Sequence, residues 1–237
     1  MRLAPGLHRI GNDIVAVHLI ETPDGITVID AGLPGHWREL LAELASMDRT
    51  VDDVRGVVLT HGDSDHLGFA ERLRRDHGVA VYIHEGDAGR AKGEKPPATP
   101  PDPRRLRPML EFAWYALRRG AARTTHLSEV LDVRDGDVLD LPGAPRVIGL
   151  PGHSPGSIAV HVPAVDALFV GDALTTRHVL TGRRGAQPAP FTDDRVQALD
   201  SLARLEGLRA RWVLPGHGAP WTRGVDELLH EVGAAGP

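Results

Sequence analysis

The chain has 237 residues, with 27 Lys and Arg against 32 Asp and Glu, a formal net charge of -5. That length suits one generous domain whose core is large enough to be stable without covalent staples. Cysteine is absent, which excludes disulfides and thiolate metal ligands, and the acidic balance offers no basic face for nucleic acid. The opening stretch MRLAPGLHRIGNDIVAVHLIETPDG lacks the uninterrupted apolar core of a signal peptide, and no window approaches the roughly 18 apolar residues of a membrane span. A soluble, cytoplasmic protein with no membrane attachment is expected.

In chain order, IVAVHLIE (14–21) and ITVIDAG (26–32) read as strands separated by the turn signal Pro23-Asp24-Gly25. Residues 35–47 place Trp37, Leu40, Leu41 and Leu44 at helical spacing. VRGVVLT (54–60) reads as a buried strand, LGFAERLRRDHG (67–78) as a helix ended by Gly78, and VAVYIH (79–84) as a strand. The pattern breaks at GEKPPATPPDP (93–103), which cannot be regular helix or sheet. Behind it, 104–120 carries Leu106, Met109, Leu110, Ala113, Trp114 and Leu117 on one helical face. This helix packs on the domain by that stripe, or else forms a lid with Phe112, Trp114 or Tyr115 as an apolar wall, or a homodimer contact. Strands return in DVLDLPG, PRVIGLPG, SIAVHV and ALFVGD, followed by a helix near 193–206, the strand RWVLPG (211–216) and a terminal helix. Two strand-rich halves flanked by helices suggest two sheets packed face to face with helices outside.

The stretch VVLTHGDSDHLG (57–68) crowds His61, Asp63, Asp65 and His66 directly behind a buried strand, where α/β architectures place functional groups. Three further strand ends do the same, with His153 in GLPGHSPGS, Asp172 in LFVGDAL and His217 in WVLPGHG. Four strand ends supplying His or Asp are hard to reconcile with chance, and a metal site built from nitrogen and oxygen ligands is the reading that unites them.

In this pattern the chain resembles the metallo-β-lactamase fold superfamily, whose signature is H-x-H-x-D-H and then His, Asp and His at wide spacing. The resemblance covers nearly the whole length and includes Asp30 in VIDAG, at a position that supports the site in that family. It implies an α/β fold, a four-layer αβ/βα sandwich of two mixed β-sheets with helices on the outer faces. One domain would span 1–237, with a proline-rich and helical insertion at about 93–126. It also implies two divalent metal ions in a groove at one edge of the sheets. Carried over, His61, Asp63 and His153 would hold the first ion, Asp65, His66 and His217 the second, and Asp172 would bridge both. One position departs, because Asp63 stands where the family has its second histidine. An ionised Asp still ligates zinc but is harder than imidazole, so zinc is expected, with iron or manganese favoured by Asp63.

Such a pair of ions would hold a bridging hydroxide for attack on a small ester, lactone, amide or thioester, as in the compact lactonase-like members. Asp65 would ligate and orient, and His178, six residues beyond Asp172, is a candidate to protonate a leaving group. GHSPGS is no serine-hydrolase elbow, so Ser154 and Ser157 are expected to shape the loop of His153. His8, His18 and His161 read as surface or packed strand residues, and His36, His77 and His230 as helix-associated. His84 closes a strand near the groove, and Arg104, Arg105 and Arg107 read as a solvated helix start or an attractor of anionic substrate. Two alternatives stand beside the hydrolase: an iron-dependent redox enzyme on the same fold, and a non-catalytic binding module.

Overall fold

The computed structural model describes residues 1–96, 104–123 and 125–235. The proline-rich stretch expected to open an insertion therefore falls mostly on 97–103, outside the described residues. Strands β1 (Arg2–Ala4), β2 (Leu7–Gly11), β3 (Ala16–Thr22), β4 (Gly25–Ile29), β5 (Val54–Val58), β6 (Ala80–His84) and β7 (Leu131–Val133) form the first sheet, adjacent in sequence order. It is antiparallel from β1 to β4 and parallel from β4 to β7. Then come β8 (Arg146–Gly149), β9 (Ile158–Val162), β10 (Ala167–Gly171), the small hairpin β11 (Thr175–Arg177) and β12 (Arg184–Gln187), and β13 (Trp212–Pro215). The second sheet runs β13-β10-β9-β8, with β13 and β10 parallel and the other pairs antiparallel. The helices are α1 (Trp37–Ser46), α2 (Ser64–Leu67), α3 (Ala70–His77), α4 (Glu85–Ala91), α5 (Leu106–Arg118), α6 (Arg195–Ser201) and α7 (Val225–Ala235).

The two-residue period of a strand sends neighbours to opposite faces, and here both faces are buried. Ile29, Val58, Val160, Phe169 and Leu214 meet between the sheets. Their neighbours Val28 and Val57 face outward onto Trp37, Leu40 and Leu44 of α1 and Leu73 of α3. On the other side Leu168 and Val213 pack with Leu228 and Val232 of α7. Each fully buried Leu, Val or Phe contributes about 1.5–3 kcal/mol relative to exposure, so these three apolar layers hold the sheets face to face. The result is the four-layer αβ/βα sandwich that the sequence implied.

Several elements differ from the sequence reading. Leu41 is 40% exposed, so α1 presents a narrower face than its spacing suggested. The helix expected over 67–78 is α3 and starts only at Ala70; the short α2 precedes it, and the two part at Gly68, where a Cβ would lie 2.4 Å from the Gly32 carbonyl oxygen. Gly78 does end α3 in the left-handed conformation, at φ 68°. DVLDLPG is no strand; of it, Val138 makes an isolated bridge to Arg146. The stripe predicted to bury α5 is also corrected: Leu106, Leu110, Trp114 and Leu117 are exposed. Instead Phe112, Tyr115 and Ala116 pack on Ile14, Val15 and Leu33. That face wins because the Tyr115 hydroxyl finds a buried partner, His36 Nε2 at 2.9 Å, which lets a large ring leave water with its polar tip satisfied.

Candidate metal centre

The loop after β5 is shaped by its neighbour, the loop after β4. Ala31 N–H donates to the His66 carbonyl at 2.7 Å and Gly68 N–H to the Gly32 carbonyl at 2.8 Å, which hooks the short helix α2 against the end of β4. Asp63 occupies the N-cap of α2, yet its carboxylate makes no capping hydrogen bond. An Asp at this position ordinarily spends an oxygen on the helix amides; here neither oxygen does, which leaves Oδ2 facing the site and Oδ1 to a side-chain partner. The second sheet is joined at the same edge, where Ile158 N–H donates to the Thr60 carbonyl at 2.9 Å. The last loop, after β13, is tied to the N-terminal strands by Ala16 N–H on the Gly216 carbonyl at 2.9 Å.

The four histidines delivered by these loops are held in one tautomer. His217 Nδ1 meets the Ile14 carbonyl, which can only accept. His66 Nδ1 donates to Asp30 Oδ2 at 2.9 Å. Thr60 gives its hydroxyl proton to Asp30, so it accepts from His61 Nδ1 at 3.0 Å. Thr192 gives its proton to the Ala189 carbonyl, so it accepts from His153 Nδ1 at 3.2 Å. Each Nδ1 therefore carries a hydrogen, so each ring, once neutral, turns its Nε2 lone pair inward.

Those inward atoms converge on the carboxylates. Asp63 Oδ2 lies 3.3 Å from His153 Nε2 and 3.6 Å from His61 Nε2. Asp172 places Oδ1 3.6 Å from His66 Nε2 and Oδ2 3.0 Å from His217 Nε2, and Asp65 Oδ2 is 3.5 Å from His217 Nε2. Three overlapping groups have donor atoms within 4.8 Å of one another: His61, Asp63 and His153; Asp65, His66 and His217; His61, His66 and Asp172. Nε2 of His61, His66 and His153 and Oδ1 of Asp172 are buried with no hydrogen-bond partner among the described residues. Leaving so many polar atoms unsatisfied in one place is costly, and a nitrogen and oxygen donor set of this kind fits zinc, iron or manganese.

Without an ion, the charges share protons. Burial opposes the charged form of His66, but the Asp30 and Asp172 carboxylates outweigh it and hold the ring up to about 10. Burial likewise opposes charge on His217, and Asp172 overcomes it, raising the ring to about 9. His61 goes the other way, pushed well below the ordinary value by burial and then by His66 and His153. Burial disfavours ionised Asp63, yet His153, His61 and Arg90 hold its carboxyl well below the usual range.

The seven residues expected from the sequence are thus brought together, with Asp30 behind them. Above them opens a groove of about 550 Å³, walled by Leu33, Phe112, Ala116 and Phe191 on its apolar side and by Arg90, Lys95 and His126 elsewhere. Of the residues proposed for a lid wall, Phe112 lines this groove; Trp114 is exposed on the outer side of α5. His178 is buried in the turn after β11 and is not among the groove-lining residues, and His84 caps α4 by accepting from Gly86 N–H at 3.1 Å. Arg104, Arg105 and Arg107 are all exposed and are not among the groove-lining residues.

Sequence reasoning missed α4 altogether, and with it Asp87 and Arg90. Asp87 is fully buried and accepts from Gly62 N–H at 2.8 Å, Gly156 N–H at 2.8 Å and Ser154 Oγ at 2.6 Å, clamping the His61 loop to the His153 loop. EGDAGRA is short and glycine-rich, and carries no hydrophobic period that would have announced it. His126, on a loop without motif, was likewise missed.

The metallo-β-lactamase superfamily model matches residues 10–217. The chain is 30% identical over 232 residues to the probable metallo-hydrolase YflN of Bacillus subtilis (strain 168), covering 92% of this chain and 86% of that protein. Among solved structures, a metallo-β-lactamase family protein from Thermus thermophilus, TTHA1429, superposes with a TM-score of 0.69 at 23% identity over 97% of this chain and 80% of that one. TTHA1623, solved in a di-iron-bound form, superposes with a TM-score of 0.65 at 25% identity over 95% and 98%. The sandwich, the groove at its sheet edge and a family match that runs from β2 to the last histidine of the cluster agree: the chain belongs to the metallo-β-lactamase superfamily.

Proposed function

We propose that the groove is the active site of a dinuclear metal-dependent hydrolase acting on a small ester, lactone, amide or thioester. The observation that carries this reading is the set of inward-facing Nε2 atoms, each fixed from behind by an acceptor on Nδ1 and each facing a carboxylate. His61, Asp63 and His153 would hold one ion, Asp65, His66 and His217 the other, and Asp172 would be a ligand shared by both sites. When bound, such ions polarise a scissile carbonyl and make water a nucleophile near neutral pH.

The chain's own residues supply the rest. Asp30 and Thr60 lock the rings of His66 and His61, so the donors need no rearrangement. Asp65 is partly exposed at the groove floor, where its outer oxygen can orient a water or a substrate hydrogen. Leu33, Phe112, Ala116 and Phe191 form an apolar wall suited to an acyl or alkyl portion and exclude water from that side. His178 takes no part in this scheme, since it does not line the groove.

Zinc is the first expectation for both sites. The harder ligand Asp63, together with the di-iron form of TTHA1623, supports iron as the second, and with it the redox alternative. Metal analysis of the purified protein, followed by a panel of lactones, aryl esters and thioesters, tests the reading. Two zinc ions per chain and metal-dependent turnover of at least one carbonyl substrate are expected. Iron with no hydrolysis would favour the redox enzyme, and a chain that takes up no metal on reconstitution would refute both.

A further inference from the structure

We infer that Arg90 is a positioning residue for the first metal site, turning Asp63 into a one-oxygen donor that stands in for an imidazole. The inference rests on the metal-site reading above. Arg90 lies on α4 and is 7% exposed, although its helix was invisible in the sequence and its charge belongs to no motif. Its guanidinium forks between two carboxylates: Nη1 is 3.1 Å from Asp63 Oδ1 and Nη2 is 2.6 Å from Asp193 Oδ2. Asp63 is divided accordingly. Oδ1 is committed to Arg90, and Oδ2 alone faces His61 and His153.

That division answers both problems an aspartate raises at this position. A carboxylate can bind an ion through one or both oxygens and pivots on a short stem, whereas imidazole offers one nitrogen at a fixed point. Occupying Oδ1 with a planar, forked partner removes that freedom. An extra negative ligand also weakens a metal's Lewis acidity, and a cation on its far oxygen draws that charge away from the ion. Arg90 is itself held in place. Asp193 N–H donates to the His153 carbonyl at 3.0 Å, so the second arm of the fork is anchored in the loop that carries another donor of the same triad. Gly62 makes the approach possible, since a Cβ there would sit 2.9 Å from Arg90 Cβ. One guanidinium thereby connects the loop of Asp63 to the loop of His153 and fixes the distance between their donor atoms.

The test compares wild type, Arg90→Met, Arg90→Lys, Asp63→His and the double variant Asp63→His/Arg90→Met, each reconstituted with Zn²⁺ and separately with Co²⁺. The readouts are ions per chain, the affinity of each ion by chelator competition, the visible cobalt spectrum and the melting temperature of the metal-free chain. Arg90→Met is expected to weaken one ion at least tenfold, leave the other within about twofold and alter the cobalt spectrum. Arg90→Lys keeps a cation but loses the fork, and should recover part of the affinity without restoring the spectrum. Asp63→His alone should also lose affinity, because it sets an imidazole against a buried cation, and the double variant should regain it. Arg90→Met with wild-type affinities and spectrum overturns the assignment, as does a lower melting temperature with both affinities unchanged. Equal binding by Asp63→His and the double variant overturns it too, and decides the matter if Arg90→Met fails to fold. A wild-type chain that takes up fewer than two ions overturns the dinuclear reading itself, which separates the two failures.

Discussion

Asp30, just past the end of β4, and His66 on α2 are joined at 2.9 Å, and Asp30 holds this contact from a left-handed backbone at φ 61°. Such a conformation costs a non-glycine residue on the order of 1–3 kcal/mol, offset here by two further donors, Thr60 N–H at 2.8 Å and the Thr60 hydroxyl, which is shared between the two carboxylate oxygens at 3.0 and 2.9 Å. Replacing Asp30 with Asn keeps the shape and removes the charge that makes His66 a strong donor. Zinc affinity in Asp30→Asn should fall about 10–100-fold, measured by chelator competition; an unchanged affinity would mean that Asp30 serves the fold alone.

Asp87 should matter to the fold and the site together. Asp87→Ala strands the buried amides of Gly62 and Gly156 and leaves the Ser154 hydroxyl only Ser157 Oγ, 2.8 Å away, and is expected to lower stability by roughly 3–5 kcal/mol. Denaturant unfolding of the metal-free protein measures this. A loss below ~1 kcal/mol would show that the two loops are held by other contacts.

Gly216 leaves the space in which Asp172 and His66 meet. A Cβ there would lie 2.5 Å from Asp172 Oδ1 and 2.5 Å from His66 Cε1. Gly216→Ala should cost about 1–3 kcal/mol of stability and displace both donors, so the chain should retain its circular dichroism yet bind less than its full metal complement.

These residues mark where the sequence was readable. Strand-end His and Asp residues were legible because each follows a β-branched run, and a period of two is a strong signal. Hence His61, Asp63, Asp65, His66, His153, Asp172 and His217 all stand out in the sequence, as does the sandwich. Asp87 and Arg90 do not, because their partners are 25 to 103 residues away in sequence and nothing local marks them. The buried face of α5 was misread for a related reason. Hydrophobicity alone favoured Leu106, Leu110 and Trp114, whereas Tyr115 is chosen by a hydrogen bond to His36, which lies 79 residues upstream.

His18 makes stability sensitive to acid. Its ring is buried against Phe169, with centroids 5.4 Å apart, and burial, then repulsion from Arg9, lowers it to about 3. The unfolded chain titrates near 6.5, so in mild acid it binds a proton that the folded state refuses. Stability from this group is therefore complete above about pH 6.5 and declines as pH falls towards 3, at about 1.4 kcal/mol per pH unit. His18→Leu should flatten the loss between pH 6.5 and 5 by about 2 kcal/mol, read from chemical denaturation at each pH in metal-loaded protein. Parallel pH profiles for the two proteins would contradict the assignment.

Phe112 tests the groove wall. Its ring stands edge-on to His217, centroids 6.3 Å apart. Phe112→Ala should raise KM for apolar substrates roughly tenfold while leaving kcat within a few-fold, as expected for a contact equally strong in ground and transition states. A fall in kcat alone would place Phe112 in the chemistry instead.

The bond from Ala16 to Gly216 and the contact of His217 with Ile14 have a consequence for biosynthesis. β3 gains one of its end contacts from a loop made about 200 residues later, and the second metal triad lacks a member until that loop emerges. A ribosome-bound chain that has exposed only its first half holds His61, Asp63, Asp65 and His66 but neither complete triad. On the proposed dinuclear reading, tight uptake of the ions would therefore wait for the loop of His217, so metal capture would follow synthesis of both sheets and not accompany the first.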